Sequence, residues 1–315
     1  MKKHLKMPVY AWKIFLDVAF WRFCAIIEVS IIFIRENIMK EQSKGALLMA
    51  ISAVFFSIGG VLIKMIPWGA LATNGGRCIF GVIVYGIYLI IAKKKLIVNG
   101  PTLLGALGIM GTTFFYNTAT KFTTAANAII LEYTSPIFIV LMLYLFFHKK
   151  PCKADIIATV AVVFGIFWFF LDSLSTGHYL GDALGLCSAV CVSVVYVLKL
   201  NPRADLASLI FFGLLASSVA FGPFIAQETV FTPTVLCWVV ALGVFQLGFA
   251  YIFFFLGLSR CNPVPAVLAG SLEPILNPVW VAIFYGEMIS PLAMPGIAVV
   301  LITVLTYNIV MAKKE

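Results

Sequence analysis

The sequence predicts an all-α integral membrane protein: ten transmembrane helices arranged as two inverted five-helix repeats. Three observations carry this. The 315 residues are 62% hydrophobic and 11% charged, with mean hydropathy +1.07, whereas a soluble domain averages about 45–50% apolar and about 25% charged. Ten apolar runs of bilayer-spanning length follow one another with short connectors. Lys and Arg collect on alternate connectors. So much apolar surface exceeds what a soluble interior can hide. An ordinary cytosolic enzyme, a disordered chain and a disulfide-stapled secreted domain are therefore excluded. Continuous rather than alternating apolar runs exclude a β-barrel.

The first 38 residues stand apart. Residues 14–34 are apolar, but Asp17, Arg22 and Glu28 interrupt them, and each would cost roughly 2.5–3.5 kcal/mol near a bilayer centre. This N-terminal extension, residues 1–43, is expected to be an interfacial helix or an over-extended start with Met39 the true first residue. The spans are then expected at about 45–63, 68–92, 101–120, 125–147, 154–171, 180–199, 206–226, 234–257, 264–285 and 292–312. They divide into units 44–171 and 172–315. With residue 44 placed in the cytoplasm, that side holds thirteen basic residues, among them Lys93, Lys94, Lys95, Lys149, Lys150, Arg203 and Arg260; the other holds Lys64 and Lys121 alone. The expected location is the cell membrane, multi-pass, with both ends of the ten-helix unit cytoplasmic. The net charge of +9 reads as topology, not as a nucleic-acid footprint.

An internal repeat supports the count. Laid over 181–198, residues 45–62 match at eight of 18 positions, including Ser52/Ser188, Ser57/Ser193 and Leu62/Leu198. At an offset of 138, Phe115/Phe253, Ala128/Ala266, Pro136/Pro274 and Phe146/Phe284 also match. Five crossings per copy make the second copy enter from the opposite side. Inverted repeats of this kind recur in secondary transporters, which place the substrate near mid-membrane between the halves.

Polar residues collect at that depth. Glu132, about seven residues into the fourth span, lies roughly 10 Å below the surface at 1.5 Å per residue, and Glu273 reaches similar depth from the other side. Each must be protonated, paired or facing water. They are candidates for a substrate-amine contact or a proton carrier, or else are fixed partners of a base such as Arg77. Arg77 is the candidate holder of a substrate anion, unless it snorkels or pairs with Glu132. Pro136 and Pro274 are expected as mid-helix hinges. Asn117, Tyr133, Ser57, Ser193, Tyr196, Gln246 and Asn277 complete the candidate substrate-binding set, each open to the alternative of a helix–helix hydrogen bond. Lys64 and Lys121 read as interfacial anchors. The glycines 105, 108, 111, 181 and 185 read as close-packing faces. Seven cysteines without a CxxC read as buried reduced thiols. No HExxH, GxSxG or P-loop occurs, so no catalytic residue, metal or cofactor is expected, and no nucleotide site powers the chain.

The run Phe115–Pro136 (FYNTATKFTTAANAIILEYTSP) resembles the third-to-fourth-helix signature of the EamA family in the drug/metabolite transporter superfamily. Phe253–Pro274 (FFFLGLSRCNPVPAVLAGSLEP) followed by Tyr285-Gly286-Glu287 resembles the same signature in the second half. The resemblance covers about residues 44–312. It implies two EamA repeats, a central cavity lined by helices one to four and six to nine, and peripheral helices five and ten. It also implies outward movement of amino acids, related metabolites or drugs by alternating access. The first half ends in His148-Lys149-Lys150 where the second has Gly286-Glu287, so Glu287 is expected to act as a cap or inter-helix contact. The expected function is export of amino acids or related compounds. The alternatives are import of sugars or organic acids and a non-transporting membrane scaffold. The expected partners are a small-molecule substrate and the lipid bilayer, with no nucleic acid, in a monomer or homodimer.

Overall fold

The computed structural model describes residues 41–148, 153–260, 270, 272–288, 290–292 and 294–312. Residues 1–40 of the N-terminal extension, Lys149-Lys150, and Cys24, Cys152 and Cys261 lie outside the described residues. Among the described residues, every expected span contributes helix and no strand occurs. The first span is α1 (Glu41–Ser57) and α2 (Gly59–Met65), joined at Ile58, whose carbonyl still accepts from Leu62 N–H. Next come α3 (Ala70–Ile91) and α4 (Gly100–Phe122); Asn99 caps α4 by accepting from Thr102 N–H at 2.9 Å, with Pro101 in the first turn. The fourth span is broken into α5 (Ala125–Glu132) and α6 (Ser135–Phe147). The fifth is α7 (Lys153–Thr176); Gly177 at φ +79° ends it, a left-handed turn that glycine adopts without strain.

The second half runs α8 (Tyr179–Lys199), α9 (Leu206–Phe221) with a 3₁₀ turn to Gln227, then α10 (Pro233–Ala241), a π-helical stretch Leu242–Phe249 and α11 (Ala250–Leu258) as one span, then α12 (Leu272–Tyr285) and α13 (Met294–Ala312). Six spans are long and apolar enough to cross a membrane by length and composition, and shorter apolar helices occupy three others. The exception is α4. Its Thr112, Thr113, Asn117, Thr118 and Thr120 lower its hydropathy, and all are buried against other helices. The hydroxyls of Thr112, Thr118 and Thr120 bond carbonyls four residues back.

Packing reveals the two-fold relation between the halves. Helix α4 packs on α8, and its counterpart α11 packs on α1; α3 packs on α9, α5 on α12, and α7 on α13. Exchanging the two halves leaves this set of pairs unchanged, as a pseudo-two-fold axis between five-helix units requires. The α7–α13 pair stands at the periphery. Close approach needs small residues on α4: a Cβ at Gly108 would meet Cys191 O at 3.0 Å, and one at Gly111 would meet Cys191 Sγ at 2.5 Å.

Polar contacts between connectors respect the alternation. Call the side where α1 begins near and the other far. Asn99 reaches Arg203 O on the near side; Trp68 reaches Val230 O on the far side. The large apolar side chains left exposed, such as Ile90, Ile157, Val219 and Ile302, form the surface offered to lipid. Of the described cysteines, all free, Cys78 is buried and Cys191 half-buried, but Cys187 and Cys237 point outward. The expectation of buried thiols is corrected for these two, since an apolar span hides a residue from water without hiding it from lipid.

Candidate functional site

A cavity of about 120 Å³ lies between the halves. Arg77, Thr113, Tyr116, Glu132 and Gln246 line it at mid-depth; Met49, Ile139, Val195 and Phe254 extend it toward the near side. The far half is filled by a core including Leu62, Ile63, Ile66, Ile129, Ile130, Leu242 and Val281. The cavity therefore extends from the membrane centre toward the near side and is sealed from the far side.

Arg77 stands midway along α3 and is 1% exposed. Its Nε donates to Asn74 Oδ1 at 3.2 Å, Nη1 to Gln246 Oε1 at 3.0 Å, and Nη2 to Thr113 O. All three acceptors are neutral. No carboxylate pairs with Arg77 among the described residues, so the alternative of an Arg77–Glu132 salt bridge is not realised. Its acceptors hold the guanidinium in place while its charge stays available to an anion. The π-helical stretch supplies Gln246. That backbone runs against α3 so closely that a Cβ at Gly243 would sit 2.6 Å from Arg77 O.

The two carboxylates enter from the fourth and ninth spans. Glu132 ends α5, where the chain turns through Tyr133 and Thr134 before α6 begins, and its Oε2 accepts from Ser188 Oγ of α8. Glu273 lies in α12; the Tyr133 hydroxyl is 3.0 Å from its Oε2 and 2.7 Å from Gly270 O, its single proton shared between the two acceptors. At the repeat offset of 138, Glu132 corresponds to Gly270 and Ser135 to Glu273, and all four line the cavity. The positions are thus paired by the repeat while the charge is not.

Tyr133, Tyr196 and Gln246 also line the cavity. Asn117, Ser57, Ser193 and Asn277 do not. Asn117 Nδ2 donates to Ala70 O at 2.7 Å, and Asn277 Nδ2 to Tyr116 Oη at 2.8 Å. Ser57 Oγ donates to Val54 O and accepts from Trp280 Nε1; Ser193 Oγ bonds Ala189 O and Ser135 O. An amide or hydroxyl in an apolar span takes the nearest carbonyl or hydroxyl rather than remain unpaired. The mid-helix reading of Pro136 is corrected likewise. Pro136 sits in the first turn of α6, where proline's missing N–H costs nothing; Pro274 lies in α12, next to Glu273. The proline inside a described helix is Pro278. Sequence reasoning also passed over Ser188, although the Ser52/Ser188 match marks it, and over Phe56 and Phe254, which no local pattern separates from lipid-facing phenylalanines.

The far side is tied by charge. Lys64 Nζ is 2.7 Å from Glu287 Oε2 and donates to Thr123 O at 2.7 Å; Glu287 Oε1 accepts from Ala125 N–H at 2.8 Å, capping α5. Lys121 Nζ donates to Ile66 O at 2.5 Å. Lys64 and Lys121 are therefore inter-helix clamps rather than free interfacial anchors, because carbonyls and a carboxylate stand within reach of their stems. Glu287 takes the capping and bridging place expected of it.

The chain is similar to known proteins. The pseudopaline exporter CntI of Pseudomonas aeruginosa, from strains UCBPP-PA14 and PAO1, is 23% identical over 264 residues, covering 80% of this chain and 91% of the relative. A crystal structure at 19% identity superposes with TM-score 0.62, covering 87% of this chain and all of that one; this is a likeness of fold. The model of the EamA-like transporter family matches residues 43–171 and 179–309, one copy in each half. The chain belongs to the EamA-like transporter family of membrane transporters, within the drug/metabolite transporter superfamily.

Proposed function

We propose that this protein exports small amino-acid-like metabolites across the cell membrane by alternating access. One observation carries the reading: a guanidinium without a salt-bridge partner and two carboxylates line a single cavity at mid-depth between the inverted halves. Arg77 takes a substrate carboxylate in a bidentate contact. Glu132 and Glu273 take the ammonium end. The positive-inside count supports a cytoplasmic near side, on which reading the cavity faces the compartment from which an exporter loads. Opening the far side requires the Lys64–Glu287 contact and the core behind it to part, exposing the same three charges outward. The curated relative is named an exporter, which supports the direction. Two fused repeats enclose the cavity within one chain, so a monomer suffices for transport.

The test is thermal-shift screening of zwitterions, sugars and organic acids on purified protein, followed by counterflow in proteoliposomes. A ligand that binds the native state raises the melting point by mass action. The expected result is stabilisation and exchange with amino acids, lost in Glu132→Gln at unchanged folded yield. Stabilisation by sugars or organic acids alone overturns the reading, as does undiminished exchange in Glu132→Gln.

A further inference from the structure

Four aromatic rings line the near half of the cavity and pack edge to face. Phe56 meets Tyr251 at 5.1 Å and 85°, and Phe254 meets Phe56, Tyr196 and Tyr251 at 6.4, 6.1 and 6.2 Å. The Tyr196 and Tyr251 hydroxyls make no hydrogen bond among the described residues. Such rings attract a cation through their electron-rich faces, and unpaired phenolic oxygens can accept from one. The two carboxylates line the same cavity as these rings, and the Tyr133 hydroxyl bonds Glu273 there.

Charge balance gives the second argument. Among the described residues, the lining holds one guanidinium and two carboxyl groups, and no Lys, His or Asp. A neutral zwitterion that satisfies Arg77 and one carboxyl group leaves the other without a cation beside the aromatic rings. Ionised there without a partner it would be costly, whereas a second cationic nitrogen would hold it ionised. A substrate carrying one more positive charge than negative closes the balance. Glu132 shares the mid-depth lining with Arg77, which suits it to the amino group adjoining a bound carboxylate. Glu273 is then left for the second nitrogen.

We infer that the cavity selects substrates of net positive charge: amino acids with a cationic side chain, whose second nitrogen lodges between Glu273 and the Phe56–Tyr196–Tyr251–Phe254 rings. This inference rests on the export reading above and adds the side-chain class.

The test uses the full chain in detergent micelles, titrated calorimetrically with L-lysine and with L-norleucine, which keeps the carbon chain but lacks the terminal ammonium. Lysine is expected to bind roughly tenfold tighter or more, the factor that one charge-assisted hydrogen bond carries. Glu273→Gln is expected to erase that preference while norleucine binding survives. Phe254→Leu is expected to weaken lysine and spare norleucine, which provides a second variant should Glu273→Gln fail to fold. Equal or tighter norleucine binding overturns the inference and leaves the export reading standing, as does an unchanged lysine-to-norleucine ratio in either folded variant. Binding of neither amino acid to folded protein overturns the export reading and this inference together.

Discussion

Lys64 Nζ and Glu287 Oε2 stand 2.7 Å apart on the far side, joining the end of α2 in the first half to the turn after α12 in the second. Both are mostly buried, at 13% and 19% exposure, so the pair is less screened than a surface salt bridge. If this contact parts each time the protein opens outward, locking it should arrest transport. Lys64→Cys combined with Glu287→Cys is expected to stop counterflow under oxidising conditions and to recover on reduction. Full activity of the crosslinked protein would remove the contact from the transport cycle.

Gln246 is the neutral acceptor that leaves the charge of Arg77 unspent. Gln246→Glu would place a carboxylate at the same point and satisfy the guanidinium internally. Binding of carboxylate-bearing substrates is expected to fall by roughly tenfold or more, with the melting point kept or raised. Calorimetric titration beside a thermal melt checks both. Gln246→Leu is expected to weaken binding and lower the melting point together, because the guanidinium loses an acceptor in a buried place.

The π-helical stretch passes α3 without room for a side chain. A Cβ at Gly243 would sit 2.5 Å from Phe80 Cβ and 2.6 Å from Arg77 O. Gly243→Ala is expected to cost about 1–3 kcal/mol through forced backbone movement, seen as a lower melting point and reduced folded yield. Gly100 has open space around its Cβ position, and Gly100→Ala serves as the neutral control.

Ser188 donates to Glu132 and also reaches Thr112 O. Ser188→Ala should leave the fold intact and loosen the Glu132 carboxylate, reducing exchange without abolishing it. Ser188→Thr, which keeps the hydroxyl, is expected to retain more activity than Ser188→Ala in the same counterflow assay. Equal activity of the two variants would show that the hydroxyl does not position Glu132.

Some of the site was legible in advance. A charged residue inside an apolar span has no cheap place except a cavity or a partner, which is why Arg77, Glu132 and Glu273 were found from one dimension. Tyr133, Tyr196 and Gln246 followed from depth alone. Asn117, Ser57, Ser193 and Asn277 passed the same filter yet proved to be internal fasteners, because a short polar side chain on a helix can turn to a backbone carbonyl or to the cavity, and its sequence position does not say which. Phe56 and Phe254 were missed for the converse reason: an aromatic ring has the same neighbours in sequence whether it faces lipid or the cavity.

The sequence by itself determined the membrane class, the ten spans, their alternation and the two-fold repeat, because the bilayer requires about 20 apolar residues per crossing and penalises every exception. Tertiary structure decided which charges meet. The π-helical stretch brings Gln246 rather than a carboxylate to Arg77, Lys64 finds Glu287 across 223 residues of chain, and the break after Glu132 turns Tyr133 onto Glu273. Each of these depends on the angle and depth at which helices pack. Those are set by small-residue contacts, such as Gly108 against Cys191 and Gly243 against Arg77, and a hydropathy pattern carries no record of them.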